Sequence, residues 1–198
     1  MPFVTFEGID GTGKSTTIKR VAKALQQDGV EAHVTREETD SPTGEAVRRS
    51  IQEKWDPLAT TFLFVADRAR HVAELRPMLD AGRLVLCDRF VHSTYAYQTV
   101  TLEGQVPDPM AFLRALHEGW CPMPDRVVLL TSDPAKAVAR TVKRGQTTPY
   151  EKVEFLTKVQ ERYMEMARKD AGRFTVVDAD RPLEELAKDA LAAVRGVL

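Results

Sequence analysis

Eight residues, Gly8-Ile9-Asp10-Gly11-Thr12-Gly13-Lys14-Ser15, leave few folds open to this chain. They fit the spacing G-x-x-x-x-G-K-[ST], follow directly on the apolar run Phe3 to Phe6, and open a helical pattern over Ser15 to Gln27. In that context the glycines let backbone N–H groups converge on phosphate oxygens. Lys14 reaches the outer phosphates, and the Ser15 hydroxyl can ligate Mg²⁺ at a helix N-terminus that already favours anions. Gly8, Gly11, Thr12, Gly13, Lys14, Ser15 and Thr16 are therefore the expected nucleotide-binding loop. A plain strand-to-helix turn with a capping serine is the other explanation, and it must be set against every matched position. Two acids, Glu7 and Asp10, share the turn, where an anion site would not be expected to want them. The loop itself does not say whether the phosphoryl acceptor is water, a protein or a small molecule.

The rest of the chain supplies the setting such a loop needs. Runs rich in β-branched residues at Phe3–Phe6, Ala32–Thr35, Leu84–Cys87, Arg126–Leu130 and Phe174–Val177 read as strands. Helical patterns lie between and after them, at Ser15–Gln27, Gly44–Glu53, Leu58–Ala81, Ser93–Gln98, Pro109–Glu118, Pro134–Arg144, Pro149–Arg168 and Leu183–Val194. That alternation predicts a parallel sheet covered on both faces. Gly29, Gly82 and Gly172 stand where helices end and a left-handed residue is wanted. With 198 residues and no repeat or linker, one domain spanning 1–198 is expected. Lys plus Arg number 28 against 29 for Asp plus Glu, so no global field would hold nucleic acid or an anionic membrane. Cys87 and Cys121 are far apart and lack histidines at ligand spacing, which points to a reducing compartment, the cytosol by default. No apolar run approaches the roughly 18 residues of a membrane span.

Several further segments carry candidate chemistry. Arg36 follows the second strand, at the sheet edge where open α/β folds bind ligands; it is either a phosphate clamp or a surface arginine paired with Glu37 or Glu38. The third strand ends in Asp88-Arg89, an acid able to hold a magnesium-bound water beside a base able to clamp phosphate, unless the two form a structural ion pair. In the helix TFLFVADRARH the apolar residues run around most of the surface, so Phe64 either packs in the core or stacks on a ligand. Arg68 lies one turn further on the same face, a pairing that suits a planar base, or else a solvated pair with Asp67 or Glu74. Ser93 to Gln98 offers hydroxyls and an amide after Asp88-Arg89. Arg140, Lys143 and Arg144 lead to Gly145-Gln-Thr-Thr-Pro149 and Tyr150-Glu151, which reads as a basic lid or a solvated helix end.

Taken together, FEGIDGTGKST, TRE with SPTGE, LFVADR, DRF with STYAYQ, and RGQTTPYE with FLTKVQERY make the chain resemble the thymidylate kinase family nearly end to end. The resemblance implies a P-loop nucleoside monophosphate kinase, a three-layer α/β sandwich with five parallel strands in the order 2-3-1-4-5. It implies transfer of the γ-phosphate of ATP to dTMP with Mg²⁺, in a cytoplasmic homodimer. By it, Lys14 meets the ATP phosphates, and Ser15 and Asp88 belong to the metal. Arg36 and Arg89 clamp the dTMP phosphate, Phe64 stacks on thymine, Arg68 bonds a thymine carbonyl, and Thr94 and Gln98 read the base edge. Tyr97 crowds the sugar 2′ position, Asp10 takes the 3′-hydroxyl, and Tyr150 and Glu151 complete the acceptor side. This answers the puzzle of an acid in an anion loop: the glycines face the donor, Asp10 the acceptor, and Glu7 serves as a partner to a nearby cation such as Arg89.

Where some members carry arginine between the second and third glycines this chain has Thr12, so the catalytic cation is expected from the lid, with Arg144 ahead of Arg140 and Lys143. Glu38-Thr39-Asp40 replaces a Pro-Gly-Gly common in bacterial members, a feature of archaeal-type sequences. Phe90 replaces a tyrosine, and Thr148 replaces a lid aspartate. Two alternatives remain in view. A deoxynucleoside kinase would need a base near a 5′-hydroxyl and no acceptor-phosphate clamp. A regulatory nucleotide-binding module would bind both nucleotides without forming ADP.

Overall fold

The computed structural model describes residues 2–142 and 149–198, with the side chains of 149–152 outside that description. Five strands, β1 (Phe3–Glu7), β2 (Ala32–Arg36), β3 (Leu84–Asp88), β4 (Arg126–Thr131) and β5 (Phe174–Asp178), form one parallel sheet in the order β2-β3-β1-β4-β5. This is the fold class and strand order expected. The helices are α1 (Lys14–Gln27), α2 (Pro42–Gln52), α3 (Pro57–Asp80), α4 (Val91–Thr101), α5 (Pro109–His117), α6 (Pro134–Val142), α7 (Pro149–Lys169) and α8 (Leu183–Arg195).

The two-residue period of the strands divides the core in two. Val4, Phe6, Leu84, Leu86, Val128 and Leu130 turn to one face, where Ile18, Val21 and Leu25 of α1 and Leu186, Ala190 and Val194 of α8 cover them. Phe3, Val85, Cys87, Val127 and Leu129 turn to the other, against Val72 and Leu75 of α3, Tyr95 and Ala96 of α4, and Val159 and Tyr163 of α7. Each central strand is thus buried on both sides, as a parallel sheet requires.

Register fixes what the C-terminal edge presents. Phe6 and Arg36 both pair with Asp88, and Glu7 pairs with Leu129. The P-loop, the turn after β2 and the turn after β3 therefore meet at one rim. Gly8 and Gly11 are obligatory there: both have positive φ, and a β-carbon would collide with the Leu130 carbonyl at the first and the Ala137 carbonyl at the second.

Some details differ from the sequence expectation, among them α4, which runs Val91–Thr101 where Ser93–Gln98 was expected. Helix α2 begins two residues early, at Pro42, because Ser41 accepts a hydrogen bond from the Gly44 N–H (3.3 Å) and Pro42 fits the first helical turn. Gly29 and Gly82 do take positive φ, but Gly172 does not. There the chain turns instead through Arg173 and Phe174, whose N–H groups both donate to the Asp170 carbonyl (3.0 and 3.2 Å). Among the described residues no helix is long and apolar enough to cross a membrane.

Candidate active site

The P-loop is built from its own backbone. Lys14 is 7 % exposed, and its Nζ donates to the carbonyls of Gly8 (3.0 Å) and Ile9 (2.8 Å). Burial, reinforced by the Arg89 charge, lowers its pKa to about 7, against the pull of Asp10, Asp88 and Glu7. The Thr12 hydroxyl donates to the Ile9 carbonyl (3.0 Å), so the position that could have carried an arginine is closed inside the loop. Ser15 Oγ donates to Asp88 Oδ2 at 2.5 Å, joining α1 to the end of β3. Thr16 is exposed on the following turn.

Beside the loop lies a cleft of about 830 Å³. Its lining includes the charged residues Asp10, Glu37, Glu38, Arg48, Lys54, Arg68 and Arg89, the rings of Phe64 and Tyr97, and the polar side chains of Thr94 and Gln98. Arg89 sits at φ 68°, and its guanidinium donates to Asp10 Oδ1 (2.8 Å) and Ser93 Oγ (3.0 Å) while lying over the Tyr97 ring, 5.2 Å from its centroid. Tyr97 is held in turn by an edge contact with Phe155, 6.0 Å between centroids.

Arg68 is 1 % exposed and almost fully engaged. It donates to Glu37 Oε2 (2.5 Å) and Thr94 Oγ1 (2.9 Å) and meets His117 Nε2 at 2.9 Å. His117 is then the acceptor, since its Nδ1 lies 2.7 Å from the Leu113 carbonyl and must carry the proton. Burial and the Arg68 charge lower its pKa to about 4, so it stays neutral. Of the Arg68 guanidinium nitrogens, Nε alone lacks a hydrogen-bond partner among the described residues, and it is fully shielded; the residue itself lines the cleft. Asp67 and Glu74, the alternative partners considered for Arg68, are committed to Thr39, Ser41 and Thr43, and to Arg70.

A model of the thymidylate kinase family matches residues 6–190. A probable thymidylate kinase of Methanosarcina mazei is 44 % identical over 193 residues, covering 96 % of this chain and 94 % of the relative. One of Methanospirillum hungatei is 46 % identical, covering 97 % and 93 %, and one of Natronomonas pharaonis is 38 % identical, covering 98 % of each. The chain belongs to the thymidylate kinase family. These relatives come from archaea, in keeping with the Glu38-Thr39-Asp40 segment.

Against that family's expected site, the structure gathers Asp10, Phe64, Arg68, Arg89, Thr94, Tyr97 and Gln98 around one cleft. It does not bring Arg36 there. Arg36 is exposed, paired with Asp40, and lines a separate cavity of about 470 Å³ with Ser15, Lys19, His71 and Asp88. Arg48 of α2, which donates to the Thr39 carbonyl (2.8 Å), lines the cleft that Arg89 also lines, where Arg36 had been expected. The signal for it was its helical position, one turn beyond Gly44 on the segment that follows β2. Arg140 is tied to Asp180 (2.8 Å), whose carboxyl is held well below the usual range despite the cost of burial by Ser132, the Asp133 N–H, Arg140 and Lys136. Lys143, Arg144 and Thr148 lie outside the described residues, as do the side chains of Tyr150 and Glu151.

Proposed function

We propose that the chain transfers the γ-phosphate of ATP to dTMP, giving dTDP and ADP, by direct in-line attack with Mg²⁺ at the P-loop. Membership of the thymidylate kinase family supports the reaction and the acceptor. The observation that carries the site assignment is a single cleft beside the P-loop that joins two arginines, Arg48 and Arg89, to the aromatic and hydrogen-bonding group around Phe64 and Arg68. A phosphate clamp and a base pocket in one cavity fit a nucleoside monophosphate, whose phosphate would draw on Arg89, now paired with Asp10, and on Arg48, now bonded to the Thr39 carbonyl.

In this reading Arg48 and Arg89 hold the acceptor phosphate, Asp10 takes the 3′-hydroxyl, and Tyr97 fills the space a 2′-hydroxyl would need. Phe64 stacks on thymine, and Arg68, held by Glu37, Thr94 and His117 on the wall of the same cleft, bonds a base carbonyl. An oxygen of the acceptor phosphate attacks the γ-phosphorus as the bond to the β-bridging oxygen breaks, and ADP leaves. Lys14, freed from the Gly8 and Ile9 carbonyls, neutralises charge on the outer phosphates, and Arg144 remains the lid cation of choice. Catalysis is then positioning and electrostatics, with no covalent enzyme intermediate.

For the metal, the Ser15 hydroxyl and Asp88 carboxylate, 2.5 Å apart, form an oxygen donor pair of the kind Mg²⁺ shares with substrate phosphates and water. Among the described residues no three His, Cys, Asp or Glu side chains converge to hold a metal unaided. Bound there, Mg²⁺ would neutralise charge on the β- and γ-oxygens. A cytoplasmic homodimer belongs to the same reading. The test is ADP release with dTMP, dUMP, dCMP, dGMP, AMP and UMP as acceptors. The expected order puts dTMP first, and faster turnover of AMP or UMP would overturn the acceptor assignment.

A further inference from the structure

Glu7 is the residue at this site whose role the phosphoryl-transfer scheme does not use. It ends β1 with no solvent exposure, a carboxylate buried beneath the acceptor cleft. Such a group is costly unless each oxygen is satisfied. Here Oε1 accepts from the Phe90 N–H at 2.9 Å, and Oε2 from Ser93 Oγ at 2.6 Å and Tyr163 OH at 2.9 Å. All of these partners bear on Arg89. The Phe90 N–H follows it in the chain, at a turn where Arg89 is left-handed and its own N–H donates to the Phe6 carbonyl at 3.0 Å. The Ser93 hydroxyl, having given its proton to Glu7, accepts from Arg89 NH1 at 3.0 Å. Tyr163 closes the group from α7, 2.8 Å from Ser93 Oγ.

We propose that Glu7 is a positioning residue for Arg89: it fixes the Arg89-Phe90 turn through the backbone and the guanidinium through Ser93, so that its charge state sets how firmly the acceptor phosphate is gripped. This rests on the reading of Arg89 as a phosphate clamp. An ionised Glu7 requires both hydroxyls to point their protons at Oε2, which leaves the Ser93 lone pairs turned to Arg89. A protonated Glu7 must donate from one oxygen, and the hydroxyls have to reorient. Burial raises the Glu7 pKa to about 7, against Ser93, Arg89, Tyr163 and the Phe90 N–H, so the switch between the two patterns falls in the working range. The charged or titratable groups that feel Glu7 are Arg89 from the β3–α4 turn, Tyr163 from α7, Lys14 from α1, Arg68 from α3 and Cys87 from β3. Because the ionised form is the one that leaves Ser93 free to accept from Arg89, acceptor binding near pH 7 favours ionised Glu7 and releases a proton.

The experiment compares the wild type with Glu7→Gln, Ser93→Ala and Arg89→Ala. For Glu7→Gln the KM for dTMP should rise about tenfold, the scale of one lost charge-assisted hydrogen bond, while kcat and the KM for ATP change less than about threefold. The ratio of wild-type to variant kcat/KM for dTMP, in which the acceptor's own phosphate ionisation cancels, should rise with pH through the neutral range. Ser93→Ala, which removes the link to the guanidinium, should raise the same KM and weaken its pH dependence. Calorimetry of dTMP binding in buffers of different ionisation heat should find more proton release at pH 7 in the wild type than in Glu7→Gln. Should Glu7→Gln not fold, the same two comparisons of Ser93→Ala with the wild type decide. A pH-independent ratio, or equal proton release in wild type and variant, overturns the proposal. If Arg89→Ala also keeps a normal KM for dTMP, the clamp reading goes with it; a crippled Arg89→Ala beside an unaltered Glu7→Gln sinks the Glu7 proposal alone.

Discussion

Lys14 and Glu7 are both pushed toward neutrality by burial, from opposite directions, and this shapes the stability of the protein. Glu7 moves from 4.5 to about 7, so between those values the native state holds a proton that the unfolded chain has released. Stability therefore falls as pH rises through that window, by about 3 kcal/mol for the shift taken alone. Lys14 moves from 10.5 down to about 7, so the unfolded chain holds the extra proton above pH 7 and stability recovers as pH rises toward 10.5. The combined handicap peaks near neutrality, where the site works. Thermal melts without nucleotide should show Glu7→Gln gaining on the wild type from pH 5 to pH 8; parallel curves would mean that Glu7 does not titrate there. Asp10→Ala should raise the KM for dTMP more than that for ATP, since Asp10 faces the acceptor cleft and bonds Arg89; equal losses would contradict its assignment. The P-loop residues were legible because the motif is local and its spacing is set by backbone geometry. Glu7's link to Arg89 could be guessed from two acids in one loop, but its ties to Ser93 and Tyr163 span 86 and 156 residues and exist only after folding.

At the scale of elements, the segment between β2 and α2 decides which arginine lines the cleft. Asp67 of α3, 1 % exposed, accepts from the Thr39 N–H (2.9 Å) and from the hydroxyls of Thr39 (2.6 Å), Ser41 (3.1 Å) and Thr43 (2.9 Å). Burial disfavours its charge, but these donors prevail and hold its pKa below the usual carboxylate value. The anchored Thr39 carbonyl then accepts from Arg48 NH1 at 2.8 Å, which aims α2's arginine at the cleft. Gly44 is required beneath it, because a β-carbon there would collide with the same carbonyl. Asp67→Ala should lower stability by about 2 kcal/mol, from lost hydrogen bonds partly replaced by water. It should also raise the KM for dTMP several-fold by releasing Arg48, as judged by denaturant melts and steady-state kinetics; loss of stability with an unchanged KM would sever Asp67 from acceptor binding. Strand positions and their order could be read from periodicity and motif, since each strand is a short local run. Arg48 could not be picked out from the sequence because the cleft it lines depends on how α2 leaves the sheet, which is fixed by Asp67, 24 to 28 residues from the Thr43 and Thr39 hydroxyls it binds.

For the molecule as a whole, a formal net charge of −1 gives no long-range attraction for a nucleotide anion. Recognition has to come from the few arginines grouped at the sheet's C-terminal rim, and the outer surface is left for other uses. Phe62 on α3 is 48 % exposed, its ring set edge-on to Phe112 of α5 with centroids 6.3 Å apart. It shares its helix with Phe64 and Arg68, so a partner packed over Phe62 would stiffen an element that lines the cleft. A homodimer that covers this face would lower its apolar exposure and link subunit assembly to acceptor binding. Light scattering on a sizing column should give twice the 22.2 kDa chain mass, with a melting temperature that rises with concentration. Phe62→Glu, which would bury two charges at a two-fold contact, should shift the protein to monomer and raise the KM for dTMP more than that for ATP. A wild type that remains monomeric at every concentration, or a Phe62→Glu dimer of unchanged stability, would remove this face from assembly and leave α3 supported by its own chain alone.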